Sequence, residues 1–338
     1  MAPMTRSRAT SDHIPTPLMA EYYSQRASAG LIVTEGTSPS KNGSGYARIP
    51  GIYTSAQIGA WKTVTSAVHA RDGKIFVQLM HTGRVAHPAN LEPGAVILAP
   101  SPIQIGGEMY TDSLGMQPHP VPKEMTSAEI ESTIQEFVQA AKNAVEAGFD
   151  GVEVHGANGY LIEQFIRKTS NTRTDDFGGS IQGRAKFLLE ITRRTGEAIG
   201  FDRVGVRLSP YGVFNEMPVY PEMADDYIFI ARELSKLGIV YLHLLDHAAM
   251  GAPPVPKEMK VALREVFRGT IMSAGGYDAG TGEADLQSGA AQLVSIGKPF
   301  ISNPDLVERL QKGLALAPPD FSTFYTPGSK GYTDYPAL

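Results

Sequence analysis

Short β-branched runs alternate along the chain with longer amphipathic stretches. The runs "GLIVTE" (30–35), "KIFVQLM" (74–80), "GVEVH" (151–155), "RVGVRL" (203–208), "IVYLHLL" (239–245), "TIMSAGG" (270–276) and "QLVSIG" (292–297) predict seven strands. Apolar spacing of three and four predicts helices over 55–71, 127–147, 161–168, 184–199, 222–236, 260–267, 282–288 and 303–312. Parallel neighbours need crossover helices, so this alternation implies a parallel sheet. An eighth strand can come only from residues 1–3, and then only as a strand's last residues. The first strand–helix turn carries no glycine fingerprint of a dinucleotide fold. The pattern therefore predicts one (β/α)8 barrel of the TIM type, an α/β single domain over 1–338 with its first strand truncated.

One segment breaks the alternation. Residues 83–125 are rich in proline and glycine and carry "SPIQIGGEMY" and "MQPHPVPKEM". A loop of this length inside a compact fold is usually functional. It follows a strand, so it would lie over the C-terminal mouth, where barrel active sites sit. It reads as a lid.

Side chains alternate across a strand. Gly151, Glu153 and His155 share one side, opposite Val152 and Val154; Arg207 opposes Val206 and Leu208, and Gln78 opposes Val77 and Leu79. The aliphatic sets suit the face under the helices, which points Gln78, His155 and Arg207 into the barrel near its C-terminal end. A buried guanidinium keeps its charge, so Arg207 needs a carboxylate such as Glu153 or Glu35, or an electron-rich ligand. "SAGGYD" and "IGKPFISNPDL" follow the last two strands, where barrels bind phosphate. Gly275, Gly276 and Gly297 permit close backbone approach and Lys298 adds a positive charge, so a phosphate site is predicted there.

Composition narrows the classes. The 338 residues are 42% hydrophobic and 19% charged, as in an ordinary globular protein, and the net charge of -5 argues against a nucleic acid or anionic membrane partner. With no cysteine, disulfides, thiolate metal sites and cysteine nucleophiles are excluded. No apolar run reaches the length of a membrane span, and the N-terminus carries no apolar stretch of a signal peptide, which predicts a cytoplasmic protein. His81, His87 and His119 fit no metal-ligand spacing, so no metal is expected. Asp246 and His247 suggest a hydrolase pair, but no G-x-S-x-G elbow accompanies them, and both are read as structural.

Taken in order, "MAPMTRSRA", "TEG", "FVQLMHTGR", "HGANGYL", "RTDDFGGS", "RLSPYGVFN", "AGGYD", "GKPFISNPDL" and "GYTDYP" resemble the Old Yellow Enzyme family of FMN-dependent ene-reductases over essentially the whole chain. The His155 and Asn158 pair, with Thr5 near the N-terminus, is similar to the family's His/Asn, Thr branch. The resemblance implies FMN across the barrel mouth. Its phosphate would sit at Gly275, Gly276, Gly297 and Lys298, with Gln78 and Arg207 at the pyrimidine edge, Thr5 at O4 and Gly36 against the ring. Ala2, Pro3 and Met4 would pass alongside. It implies a ping-pong reaction in which NADPH or NADH reduces the flavin and the C=C bond of an α,β-unsaturated carbonyl or nitro compound is then reduced. His155 and Asn158 would grip the activating oxygen, Tyr160 would protonate the α-carbon, and Met80 and Tyr325 would line the substrate pocket. A nitro- or nitrate-ester reductase on the same site, or a non-catalytic FMN-binding barrel, remain alternatives. The protein is expected to act on small molecules as a monomer or homodimer.

Overall fold

The computed structural model describes residues 1–338. Its strands in chain order are β1 Ile32–Thr37, β2 Ile75–Leu79, β3 Leu98–Ala99, β4 Glu108–Thr111, β5 Gly115–Pro118, β6 Lys123–Glu124, β7 Gly151–Gly156, β8 Val204–Leu208, β9 Tyr241–Leu245, β10 Thr270–Ala274 and β11 Leu293–Ser295. Seven of them form one parallel sheet in the order β1-β2-β7-β8-β9-β10-β11. All seven predicted runs are in it, each trimmed or shifted by a residue or two.

The sheet curls, because its edges converge on the N-terminus. The Met1 carbonyl accepts from Val33 N–H, the Met1 amino group donates to the Leu31 carbonyl, and Ala2 N–H donates to the Ile296 carbonyl. Pro3 has no N–H to extend that pairing. Residues 1–3 therefore bridge β1 and the end of β11 without forming a strand of their own.

Helices cover the outer face. Ser127–Glu146 buries Ile130, Ile134, Phe137 and Ala141, one helical stripe, against the sheet. Its start is fixed by a capping box in which Thr126 accepts from Glu129 N–H and Glu129 reaches back. Ile181–Ile199 and Met223–Leu237 follow the same plan, and the outward Val152, Val154, Val204, Val206 and Leu208 are fully buried beneath them. Two helices were not foreseen, Pro17–Gln25 and Lys298–Ser302. Both are short, so their periodicity carries little signal.

Glycines on the inward face make room for rings from the next strand. A Cβ on Gly205 would lie 2.2 Å from the Tyr241 ring, and one on Gly151 would lie 2.4 Å from the Phe76 ring. Phe76, Tyr241 and Met272 thereby close the interior below the polar end. Residues 83–125 are not featureless: β3 pairs with β6 and β4 with β5 in two small ribbons.

Candidate active site

The polar residues at the C-terminal strand ends stand in two layers set by strand register. Gln78 is level with Glu153 on β2 and β7; His155 is level with Arg207, and Arg207 with His243, on β7, β8 and β9. Glu153 is the hub of the lower layer. It accepts from Gln78 Nε2 at 2.8 Å, His243 Nδ1 at 2.8 Å and Tyr241 O–H at 3.0 Å. Burial by itself would raise its carboxyl, but His243, Arg207 and Gln78 outweigh that and hold it down at about 2. Glu153 is thus committed as an anion.

Arg207 is not paired with it. The guanidinium is 5% exposed, forms no ion pair, and its Nε has no hydrogen-bond partner. Burial lowers its pKa, with the Glu153 charge the main opposing influence. The alternative of a salt bridge that merely ties the interior is excluded, since Glu153 bonds His243 and Glu35 bonds the Arg6 N–H and Tyr23. His155, beside Arg207, is likewise buried with Nδ1 unpartnered. Burial and the neighbouring Arg207 charge push it down to about 3, so it is neutral and has one N–H to donate. Two orphaned polar groups side by side form a surface that calls for an electron-rich ligand.

Above them the turn after β7 carries Asn158 and Tyr160. Asn158 adopts the left-handed conformation, φ 60°, and its backbone is pinned on both sides: its N–H donates to Ser209 Oγ at 2.9 Å and its carbonyl accepts from Asn215 Nδ2 at 2.7 Å. Its side-chain Oδ1 lies 3.0 Å from His247 Nε2. Tyr160 donates to Tyr46 O–H at 3.1 Å and its ring lies 5.3 Å from that of His155. Burial and Tyr46 raise its pKa well above the usual tyrosine value.

A cavity of about 660 Å³ opens over this turn. Thr5, Tyr160 and Tyr325 line it together with Tyr46, Met109 and His119, the last two from the 83–125 segment. Met80, His155 and Asn158, also expected at the substrate pocket, do not line it. The Met80 thioether lies over Gly36, where a Cβ would be 2.5 Å from Sδ, and it packs with Tyr160, Ile49 and Val85. A second cavity of about 640 Å³, by Arg84 and Glu216, contains none of the predicted residues.

The proposed phosphate loops hold backbone conformations open to glycine, with Gly275 at φ 151° and Gly276 at φ 83°. A Cβ on Gly297 would lie 3.6 Å from Ala2 and 3.4 Å from Met4, so the N-terminal stretch abuts that loop. Lys298 is exposed, forms no ion pair, and lies 5.9 Å from the Phe321 ring centroid. Ser295 Oγ, just before the loop, is buried and unpartnered. The donors, the positive charges and the bare backbone together fit an anionic, planar, nitrogen-rich cofactor. His81 accepts from Gly83 N–H and His87 from Ala89 N–H, and His119 Nδ1 lies against the Ala86 carbonyl; all three meet loop backbone.

Sequence reasoning did not single out His243, Tyr241, Tyr46 or His247 as parts of the site. His243 and Tyr241 could have been found, because they alternate inward on "YLHLL". Tyr46 and His247 lie in loops, where no periodicity reports direction.

A protein-family model described as "NADH:flavin oxidoreductase / NADH oxidase family" matches residues 1–317. Chanoclavine-I aldehyde reductase fgaOx3 of Penicillium roqueforti is 44% identical over 99% of this chain and 91% of that protein. A probable flavin mononucleotide-dependent alkene reductase of Leishmania infantum is 42% identical over 100% of this chain and 93% of its own length. Among solved structures, the old yellow enzyme homologue of Zymomonas mobilis superposes with a TM-score of 0.96 at 41% identity, covering 100% of this chain and 95% of that one. Morphinone reductase in complex with tetrahydroNAD gives 0.95 at 42% identity, over 100% and 93%.

Proposed function

The chain belongs to the NADH:flavin oxidoreductase / NADH oxidase family, and from that premise we propose which of its residues carry out the chemistry. The protein is an FMN-dependent oxidoreductase that reduces the C=C bond of α,β-unsaturated carbonyl or nitro compounds with NAD(P)H. Bound FMN supplies the hydride acceptor and donor that link the nicotinamide half-reaction to the alkene half-reaction.

Arg207 and Gln78 hold the pyrimidine edge of the ring. Gln78 gives its Nε2–H to Glu153, which leaves its carbonyl oxygen to accept from a ring N–H. Arg207 brings a charge that nothing in the protein neutralises by contact, and it would pair with the electron-rich edge of bound FMN. Thr5, Gly36 and the backbone of Ala2, Pro3 and Met4 border the ring, and Gly275, Gly276, Gly297 and Lys298 take the phosphate.

Neutral His155 and the Asn158 amide donate to the oxygen of the activating group. Donors fixed beforehand where negative charge develops lower the barrier, as in an oxyanion hole. Tyr160 delivers the proton to the α-carbon; its raised pKa keeps it protonated at neutral pH. Tyr325 bounds the substrate space, whereas Met80 packs behind Tyr160 and over Gly36. We also read residues 1–3, which bridge β1 and β11 in place of an eighth strand, as closing a single-domain (β/α)8 barrel. Residues 83–125 are read as a lid, since several of them line the cavity.

The observation that carries this reading is the orphaned Arg207–His155 pair, with the His155 ring 5.3 Å from that of Tyr160, which lines the cavity. The test is optical. An anaerobic sample loaded with FMN should bleach on adding NADPH and regain its yellow colour on adding 2-cyclohexenone. Failure to recolour would refute the assignment.

A further inference from the structure

We propose that His247 is a positioning residue that locks the side-chain amide of Asn158 with its NH2 turned toward the substrate oxygen. The inference rests on the reading of His155 and Asn158 as the oxygen clamp.

An asparagine amide can serve such a clamp in only one of two orientations. Turned by half a rotation it presents Oδ1, which repels an oxygen gathering negative charge. Most contacts around Asn158 leave this choice open. The bonds to Ser209 and Asn215 fix its backbone, and they would be made whichever way the amide pointed. The one protein contact to the amide itself is His247 Nε2, 3.0 Å from Oδ1. On the other side of the ring, Nδ1 faces Gly212, where a Cβ would be only 2.7 Å away, and it has no hydrogen-bond partner. An amide oxygen can only accept, so with Oδ1 facing Nε2 the ring proton sits on Nε2 and Nδ2 is left to donate outward.

The loop holding His247 is itself anchored. Asp246 accepts from Ala248 N–H at 3.0 Å and Val255 N–H at 3.3 Å, and it pairs with Lys260 at 2.8 Å. The His247 carbonyl accepts from Met250 and Ala252. His247 is buried although it lies in a loop. A rigid donor set against the oxygen of a half-exposed amide is a device for orientation.

The test uses FMN-loaded protein titrated with para-chlorophenol, whose phenolate oxygen needs both clamp donors and whose binding is read from a long-wavelength absorption band. His247→Phe keeps the ring volume and removes the N–H. It should weaken phenol binding about tenfold, the worth of one well-directed bond to an anion. In the Asn158→Ala background the same change should do nothing, because the residue through which His247 acts is gone. His247→Ala repeats the cycle should the phenylalanine variant lose FMN. Equal weakening in both backgrounds, or none in the native background, overturns the inference. If Asn158→Ala alone leaves phenol binding unchanged, the clamp reading itself falls, and the His247 role falls with it.

Discussion

Replacing Tyr160 with phenylalanine separates the two half-reactions. The hydroxyl makes one hydrogen bond, to Tyr46 at 3.1 Å, while the ring is buried among Ile49, Met80, Val85, Ile105 and Met109 and stands edge-on to Tyr46. Tyr160→Phe thus leaves the ring packing in place. It costs at most one neutral hydrogen bond, about 1 kcal/mol of stability. The loss in chemistry is larger. A positioned general acid is worth about 10²–10⁴ in rate, or roughly 3–5 kcal/mol of barrier. Burial and Tyr46 raise the Tyr160 pKa well above 10, so its proton is present throughout the neutral range and the deficit should not vary between pH 6 and 8. Stopped-flow absorbance of the flavin reads each step alone. Oxidation of the reduced protein by 2-cyclohexenone should slow by about 10²–10⁴, while reduction by NADPH should stay within a few-fold, since no protonation of substrate occurs in that step. Equal slowing of both steps, or an unchanged oxidative step, would remove Tyr160 from the role of acid.

Other perturbations probe the charges and the packing. Arg207→Met should weaken FMN binding by about 10–100-fold, the loss of bonds to a charged group, yet stabilise the FMN-free protein, because an unpaired buried charge is removed. An FMN titration and a melt of the apoprotein check the two halves, and a less stable apoprotein would contradict the account. Glu35 is buried, and burial raises its carboxyl to about 7 against Arg6 and Tyr23, which oppose the rise. The folded state therefore holds this proton more tightly than the unfolded chain does. The resulting stability is fully present below pH 4.5 and lost as pH rises through 7. Glu35→Gln should be more stable than the parent by about 3 kcal/mol at pH 8, with the gap closing toward pH 4.5, as urea unfolding at both pH values would show. A gap independent of pH would argue against it. Gly205→Ala would place a Cβ 2.2 Å from the Tyr241 ring and should cost about 1–3 kcal/mol, read as a lower Tm; an unchanged Tm would mean the ring has room to move.

Period-two alternation is a local property of an extended backbone, so the strands and their faces were legible in one dimension. Gln78, His155 and Arg207 point inward as the valines opposite them required. The apolar stripe predicted over 127–147 was legible for a like reason, since a helical period is local too. The short helices Pro17–Gln25 and Lys298–Ser302 were not, since one or two turns establish no period.

Partnership is a different matter. Which carboxylate would meet Arg207 was undecided along the chain, because hydrogen bonds across a sheet depend on the register of strands distant in sequence. That register gave Glu153 to Gln78, Tyr241 and His243 and left Arg207 free for a ligand. The same dependence brought His247, 89 residues away, onto the amide of Asn158. Sequence by itself determined the faces and the chemistry placed on them; folding alone decided which groups are satisfied within the protein and which are left to bind, because only the pairing of strands in the folded sheet sets distances between them.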